Sequence, residues 1–460
     1  MRKHEHANIR VPIESNNLCI TRNDQACILC GACKSVCKFS QGVYGHYQLE
    51  KTKNQAICIG CGQCTLVCPT SAITEVEDYL HVKAAIMDPE KVVMIQTSPS
   101  VRAALGEAFG LEPGTFVEGK MVAALKALGA DYVFDTTFGA DLTIMEEATE
   151  LVKRIQKKEA LPMMTSCCPA WVNFIETFFP KLLPHLSTAK SPILMQGAVI
   201  KTYFALHAGI DPKRIVNVAV TPCTAKKGEI KRPEMNSSAK YHQIESMRDV
   251  DYVITTRELA TWLREEHLDF ASLEEAKYDD VLARGTGAGM IFGNSGGVME
   301  AALRTAYHML MGKTPPLELL QYEPVRGLDH VKKATVTIAD TTLTVAVING
   351  TFQARKFLMN LEESGEHYDF IEVMSCRGGC IAGGGTPKTE IPLPDEIKER
   401  RMQALYDADQ QSRTRCSDDN PDIVTLYETF LGAPNSELAH TLLHTSYVSQ
   451  ADKLGEPIHS

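Results

Sequence analysis

Residues 368–386 read YDFIEVMSCRGGCIAGGGT: an apolar, β-branched run that stops at two cysteines set among glycines. The first part has the composition of a buried strand. Cys376 and Cys380 are four positions apart, so their thiols point the same way if the chain between them turns as a helix does. The glycines permit φ > 0 and let the backbone come close to something bulky. Taken alone, the segment also suits a buried turn with two inert thiols. The other cysteines weigh against that reading.

The same arrangement recurs upstream. From residue 91 the chain alternates β-rich runs (KVVMIQT, DYVFDT, LPMMTS, IVNVAVT, VDYVITT, DFIEVM) with helical patterns. This predicts an α/β fold with mostly parallel strands. ATVTIAD and LTVAVING read as a hairpin inserted before the last of these strands. Parallel sheets bind ligands beyond the carboxyl ends of their strands, and the remaining functional side chains fall there. Cys167 and Cys168 follow LPMMTS, Cys223 follows IVNVAVT, Cys376 and Cys380 follow DFIEVM, and Ser98, Pro99 and Ser100 follow KVVMIQT. Three separated loops are thus expected to bring their thiols to one crevice.

Near the N-terminus, CILCGACKSVC holds Cys27, Cys30, Cys33 and Cys37, and CIGCGQCTLVCP repeats the spacing with Cys58, Cys61, Cys64 and Cys68. Each run has the C-x2-C-x2-C-x3-C form of two-cluster ferredoxins, where the fourth thiolate of a run binds the other cluster. Cys27, Cys30, Cys33 and Cys68 are therefore assigned to one [4Fe-4S] cubane, and Cys58, Cys61, Cys64 and Cys37 to a second. Zinc sites pair two thiols at each of two places, a different pattern. Pro69 follows the second run as expected. Lys38 follows the first, a departure expected to alter the local turn. Cys19 and Cys416 stand outside both patterns and read as spare thiols.

The chain has 460 residues, 44% hydrophobic and 23% charged, enough for two or three domains. Its fifteen cysteines, in a sequence whose start (MRKHEHANIRVP) lacks an apolar export core, point to metal ligation in a reducing, cytoplasmic setting rather than to disulfides. No apolar run is long enough to span a membrane. Net charge is −10, against nucleic-acid binding, which wants a basic excess. The near-neutral head, with Lys34, Lys38, Lys51 and Lys53, suits an acidic redox partner, as it also suits a plain solvated surface.

TSCCPAW (165–171), PCTAKKGE (222–229) and EVMSCRGGCIAGGG (372–385) resemble the three active-site signatures of [FeFe]-hydrogenases, and FGNSGGVMEAALR (292–304) resembles a fourth stretch of that family. RMQALY (401–406) and LLHTSY (442–447) resemble its small-subunit segment, fused here to the large one. The resemblance implies a body of two mostly parallel sheets, with helices enclosing the active site, beside a small α+β ferredoxin-like domain. The implied division is residues 1–85 for that domain, 86–385 for the catalytic domain and 386–460 for a segment wrapping it.

The resemblance further implies an H-cluster: a cubane held by Cys168, Cys223, Cys376 and Cys380, with Cys380 bridging to a two-iron centre that carries CO, cyanide and an azadithiolate. Lys226 on one side, and Ser98, Pro99 and Ser100 on the other, match cyanide-binding positions. Pro192 borders the centre, and Phe292 and Met374 match apolar walls. Cys167 matches the thiol that exchanges a proton with the bridgehead amine. Glu147, Ser187, Glu150 and Arg154 match the relay from it to the surface. Within LTIMEEATELVKRI the relay residues Glu147, Glu150 and Arg154 stand at i, i+3 and i+7, one face of a helix. The implied reaction is 2H⁺ + 2e⁻ ⇌ H2, with heterolytic H2 cleavage, electrons passing through the two head clusters to ferredoxin or a similar soluble carrier, and maturation proteins supplying the two-iron centre.

Thr221, Ile193 and Thr386 depart from the family's usual Met, Gln and Gln, which is expected to shift potentials or catalytic bias. Two other readings are a slow hydrogen sensor and a non-enzymatic iron–sulfur scaffold. The absence of any appended signalling pattern weighs against the first. The presence of Lys226, Met374 and the relay residues weighs against the second. A plain electron carrier would leave the body of the chain without purpose.

Overall fold

The computed structural model describes residues 9–455 apart from residues 283, 284 and 339. The first eight residues of the expected head domain, the last five of the expected tail segment and Ala339 of the ATVTIAD run lie outside the described residues.

The head is built on β1 (Ile20–Arg22) and β2 (Ile73–Glu75), paired antiparallel, with the two cysteine runs between them. Each run starts a helix, Ala32–Phe39 and Gln63–Leu66, after a glycine in the left-handed conformation, Gly31 at φ 78° and Gly62 at φ 66°. The Lys38 departure lengthens the first helix rather than remaking a turn: the helix runs through Lys38, whose ammonium lies over the Phe39 ring. The second helix ends at Leu66, before Pro69, which has no N–H to continue it.

The body contains two four-stranded sheets. In one, β3 (Val92–Thr97), β4 (Tyr132–Asp135), β6 (Ile215–Thr221) and β7 (Tyr252–Thr255) are all parallel, in the order β4-β3-β6-β7. Every residue of β6 is buried, as expected of a central strand covered on both faces. In the other, the order is β5-β10-β9-β8, from β5 (Met163–Met164), β8 (Val331–Ile338), β9 (Thr341–Asn349) and β10 (Phe370–Met374). β5, β10 and β9 are parallel, and β8 folds back on β9 as an edge hairpin. Exposed and buried residues alternate along much of β8, and the exposed Lys333 places a charge on this edge strand.

The long helix Thr136–Lys157 follows β4 directly. Asp135 caps it by accepting the Thr137 N–H at 2.9 Å, and Lys158 ends it at φ 56°. Its first half is buried on all sides, between the helices Pro192–Val199 and Gly297–Met311.

The segment between Cys376 and Cys380 corrects one expectation. It is not helical: Gly378 and Gly379 have φ of 96° and 90°, and a 3-10 turn, Cys380–Ala382, begins only at the second cysteine. A Cβ on Gly379 would lie 2.5 Å from the Ser295 nitrogen, so the turn is packed against the 293–295 loop as only glycine allows.

The C-terminal helix Asp395–Gln411 locks onto this turn. Its Arg401 is fully buried, pairs with Glu107 through two nitrogens at 2.6 and 2.7 Å, and donates to the Ile381 carbonyl at 2.7 Å. Arg401→Met keeps the bulk but leaves Glu107 charged and unpaired. It is expected to cost about 3–5 kcal/mol, read as a lowered denaturation midpoint.

Candidate active site

The carboxyl ends of strands from both sheets open on one enclosed cavity. Ser98, Pro99 and Ser100 come from beyond β3, Thr136 from beyond β4, Cys167 and Cys168 from beyond β5. Thr221, Pro222, Cys223 and Lys226 come from the end of β6, and Met374, Ser375, Cys376, Gly379 and Cys380 from the end of β10. Phe292, Pro192 and Ile193 complete the wall. The four thiols Cys168, Cys223, Cys376 and Cys380, spread over more than two hundred positions of the chain, therefore face one space.

Burial pushes all four thiols up from their ordinary range, Cys223 to about 11, and Cys223, Cys376 and Cys380 are raised further by their neighbours' charge. Such a set becomes thiolate only against a strongly cationic occupant. Among the described residues no three or more donors stand close enough to grip a single ion. A zinc ion, with sulfurs at about 2.3 Å, needs that closeness; a cubane, which spreads its ligands around a larger body, does not.

Two further side chains project into the cavity. Lys226 is nearly buried, donates to the Cys167 carbonyl at 3.0 Å and pairs with Glu229 at 2.8 Å. Burial works against its charge, but Glu229 and Cys223 outweigh burial and raise its pKa. The Ser100 hydroxyl is buried without a hydrogen-bond partner, so it has a donor to offer an occupant.

On the protein side of Cys167 lies Glu147, fully buried, with neither carboxylate oxygen hydrogen-bonded. Burial, then Glu150 and Glu372, push its pKa up to about 8. Ser187 donates to Glu150 at 2.8 Å, and Arg154 grips the other Glu150 oxygen at 2.6 Å. Arg154 also bonds the 184–186 carbonyls at the surface edge. Ser187, Glu150 and Arg154 are thus joined in series toward the surface, with Glu147 between the charge fields of Cys167 and Glu150.

The head abuts the cavity loop. Cys27, Cys30, Cys33 and Cys68 surround one small pocket. Cys64 lies in the charge field of Cys61, Cys58 and Cys37, a second group closer to the body. Two glycines make the seam: a Cβ on Gly384 would lie 2.5 Å from the Cys61 carbonyl and 2.6 Å from Gly62 Cα. Thr65 donates to the Gly384 carbonyl at 2.7 Å, and Arg257 joins that carbonyl, Thr65 and Glu75.

The family described as iron only hydrogenase large subunit, C-terminal domain, matches residues 91–384, the whole cavity-bearing body. The chain belongs to the iron-only hydrogenase family. The iron hydrogenase small subunit family matches residues 395–450, and the 4Fe-4S binding domain matches residues 51–74, the second of the two head runs. Among similar proteins, the NADP-reducing hydrogenase subunit HndD of Solidesulfovibrio fructosivorans is 46% identical over 93% of this chain and 74% of its own length. Iron hydrogenase 1 of Clostridium pasteurianum is 42% identical over 95% and 77%. The solved structure of apo [FeFe]-hydrogenase HydA1 from Chlamydomonas reinhardtii, a variant, superposes with a TM-score of 0.70 at 38% identity, covering 80% of this chain and 99% of that one. More distantly, cytosolic iron-sulfur assembly component 3 of Bos taurus is 34% identical over 79% and 76%.

As an iron-only hydrogenase the protein uses the H-cluster and additional [4Fe-4S] clusters, and the cavity's donors fit it: four thiols, a buried ammonium and an unpartnered hydroxyl. Of the departures in this hydrogenase, Thr221 and Ile193 line the cavity. Thr386 is turned away, its hydroxyl donating to the Gly383 carbonyl at 2.9 Å, so it shapes the glycine turn instead of the cavity's polarity. Thr221→Met is expected to change the ratio of hydrogen uptake to evolution by about tenfold, read by film voltammetry; an unchanged ratio, potential and inhibition would remove Thr221 as a determinant of bias.

Sequence reasoning passed over Gln63, Thr224 and Arg257, which join head to body. It also passed over Glu372, whose carboxylate accepts the Gly296 and Met299 N–H groups and so fixes the 292–296 wall. An apolar strand interrupted by one acid was the available signal for Glu372.

Proposed function

We propose that the protein catalyses 2H⁺ + 2e⁻ ⇌ H2 by heterolytic cleavage. Electrons pass through two head clusters, held by Cys27, Cys30, Cys33 and Cys68 and by Cys37, Cys58, Cys61 and Cys64, to ferredoxin or a similar soluble carrier in the cytoplasm. The division at residues 85 and 385, into head, catalytic body and wrapping segment, belongs to the same reading. The observation that carries it is the convergence of Cys167, Lys226 and four thiols on one enclosed cavity.

When bound, the H-cluster supplies an open iron acting as Lewis acid beside a basic amine. The chain's own residues do the rest. Cys168, Cys223, Cys376 and Cys380 would hold the cubane, and Cys380 would also tether the two-iron centre, which maturation proteins would supply. Lys226, Ser98 and Ser100, with Pro99 fixing the turn between the serines, offer donors to anionic ligands, since charge-assisted hydrogen bonds are strongest in a dry site. Phe292, Met374 and Pro192 exclude water. Cys167 takes and returns a proton inside the cavity. Glu147, neutral near pH 7, passes it to the Ser187–Glu150 pair, and Arg154 holds the Glu150 carboxyl in place on the outward side.

The non-enzymatic scaffold is the second reading, favoured by the likeness to the cytosolic assembly component. Infrared spectroscopy of protein matured with its assembly factors separates the two: CO and cyanide bands are expected, with hydrogen evolution from reduced viologen. Matured protein without those bands would overturn the hydrogenase reading in favour of the scaffold. Bands with negligible turnover would favour a sensor.

A further inference from the structure

One side chain crosses the seam between the head and the active-site loop. Gln63 lies between Gly62 and Cys64 in the second head run, and its side-chain amide donates to Cys376 Sγ at 3.2 Å and to the Ala382 carbonyl at 2.9 Å. We propose that Gln63 is a positioning residue for electron exchange, its amide N–H bonding the Cys376 thiolate and raising the reduction potential of the catalytic cubane. The inference rests on the reading of Cys376 as a cubane ligand.

Three features of the contact carry it. The amide orientation is settled chemically, because the Ala382 carbonyl only accepts, so the nitrogen end of Gln63 must face both partners. Both amide hydrogens are then committed, one to each. The backbone beside Gln63 packs closely on the active-site loop: a Cβ on Gly384 would lie 2.6 Å from Gly62 Cα. Finally, the thiols of Cys168 and Cys223 are approached by backbone N–H groups, whereas Cys376 receives its donor from a side chain of the other domain.

The direction follows from charge. An added electron makes the ligating sulfurs more negative, so a donor to one of them stabilises the reduced form more than the oxidised form. The contact is partly buried, and a lower local dielectric strengthens such a bond. Gln63 thereby biases the last electron transfer toward the active site.

Gln63→Leu removes the donor at similar volume, and Gln63→Glu replaces it with an acceptor. In the full chain with its clusters loaded, redox titration followed by electron paramagnetic resonance is expected to show the catalytic cubane harder to reduce in Gln63→Leu. At a fixed potential its reduced-to-oxidised ratio should fall about tenfold, which for a one-electron couple is about 59 mV. The outer head cluster should keep its midpoint. Gln63→Glu should lower the midpoint at least as far at high pH and regain part of it on acidification, as the protonated carboxyl again becomes a donor. An unchanged midpoint in Gln63→Leu, or an equal shift in all three clusters marking general loosening, would overturn the inference. Cys376→Ala separates this from the ligand reading. If that variant keeps the cubane's iron and signal, the ligand reading falls and takes the inference with it. If it loses them while Gln63→Leu leaves the midpoint in place, only the role of Gln63 is overturned.

Discussion

Replacing Glu147 by glutamine is expected to slow hydrogen turnover by about 10²–10⁴-fold, the usual contribution of a positioned acid–base group, with metal content unchanged. The side chain is fully buried and both its oxygens lack hydrogen-bond partners. Burial first, then the neighbouring charges of Glu150 and Glu372, raise its pKa to about 8. At neutral pH it is therefore a carboxylic acid, and glutamine copies that neutral shape while carrying no transferable proton. Iron content and the infrared spectrum should match the parent. Turnover within a few-fold of the parent would remove Glu147 from the proton path.

The same group sets a pH dependence. In the folded protein Glu147 keeps its proton up to about 8, whereas in the unfolded chain a carboxyl loses it near its ordinary value of 4.5. The folded state binds more protons between those values, so the contribution of Glu147 to stability is fully present below about 4.5 and is lost as pH rises through about 8. Hydrogen evolution should fall over the upper part of that window, and Glu147→Gln should flatten the stability profile there.

Cys380→Ala is expected to abolish the CO and cyanide bands and reduce turnover below detection. Its thiol shares the cavity with Cys168, Cys223 and Cys376, and its neighbour Ile381 is held by Arg401, so the loop itself should stay in place. Signals from the head clusters should survive, since their cysteines lie elsewhere. Cys416→Ala is the matched control: Cys416 is as buried as any of these, but sits in the tail, in the charge field of Asp418 and Arg304, and should leave spectrum and turnover unchanged. Retention of the infrared bands in Cys380→Ala would show that the two-iron centre is tethered by some other group.

The strands were readable because β-branched runs such as IVNVAVT and DFIEVM encode burial directly, and the ATVTIAD–LTVAVING hairpin is where the pattern places it. LPMMTS was readable only as a strand in general. It pairs as Met163–Met164 alone and then leaves the sheet, carrying Thr165 through Cys168 toward the cavity, a turn that tertiary contacts decide. The i, i+4 spacing of Cys376 and Cys380 suggested a helical turn, but two consecutive glycines at positive φ achieve the convergence another way. The face shared by Glu147, Glu150 and Arg154 was local and legible; the bond from Ser187 to Glu150, 37 positions away, was not. Gln63 and Cys376 are 313 positions apart, and no periodicity couples residues at that distance.

Gly62 of the head and Gly384 of the active-site loop form a single packing position shared by two distant stretches of chain. A methyl group on Gly384 would strike the Cys61 carbonyl and the Gly62 backbone, and one on Gly62 would strike the Thr224 side chain and press on Gly384 Cα at 3.1 Å, so the crossing is closed from both sides. Anyone grafting a different electron-delivery module onto this catalyst must therefore match it at one carbon atom: the donor module needs a glycine at the crossing point, however well its other residues agree.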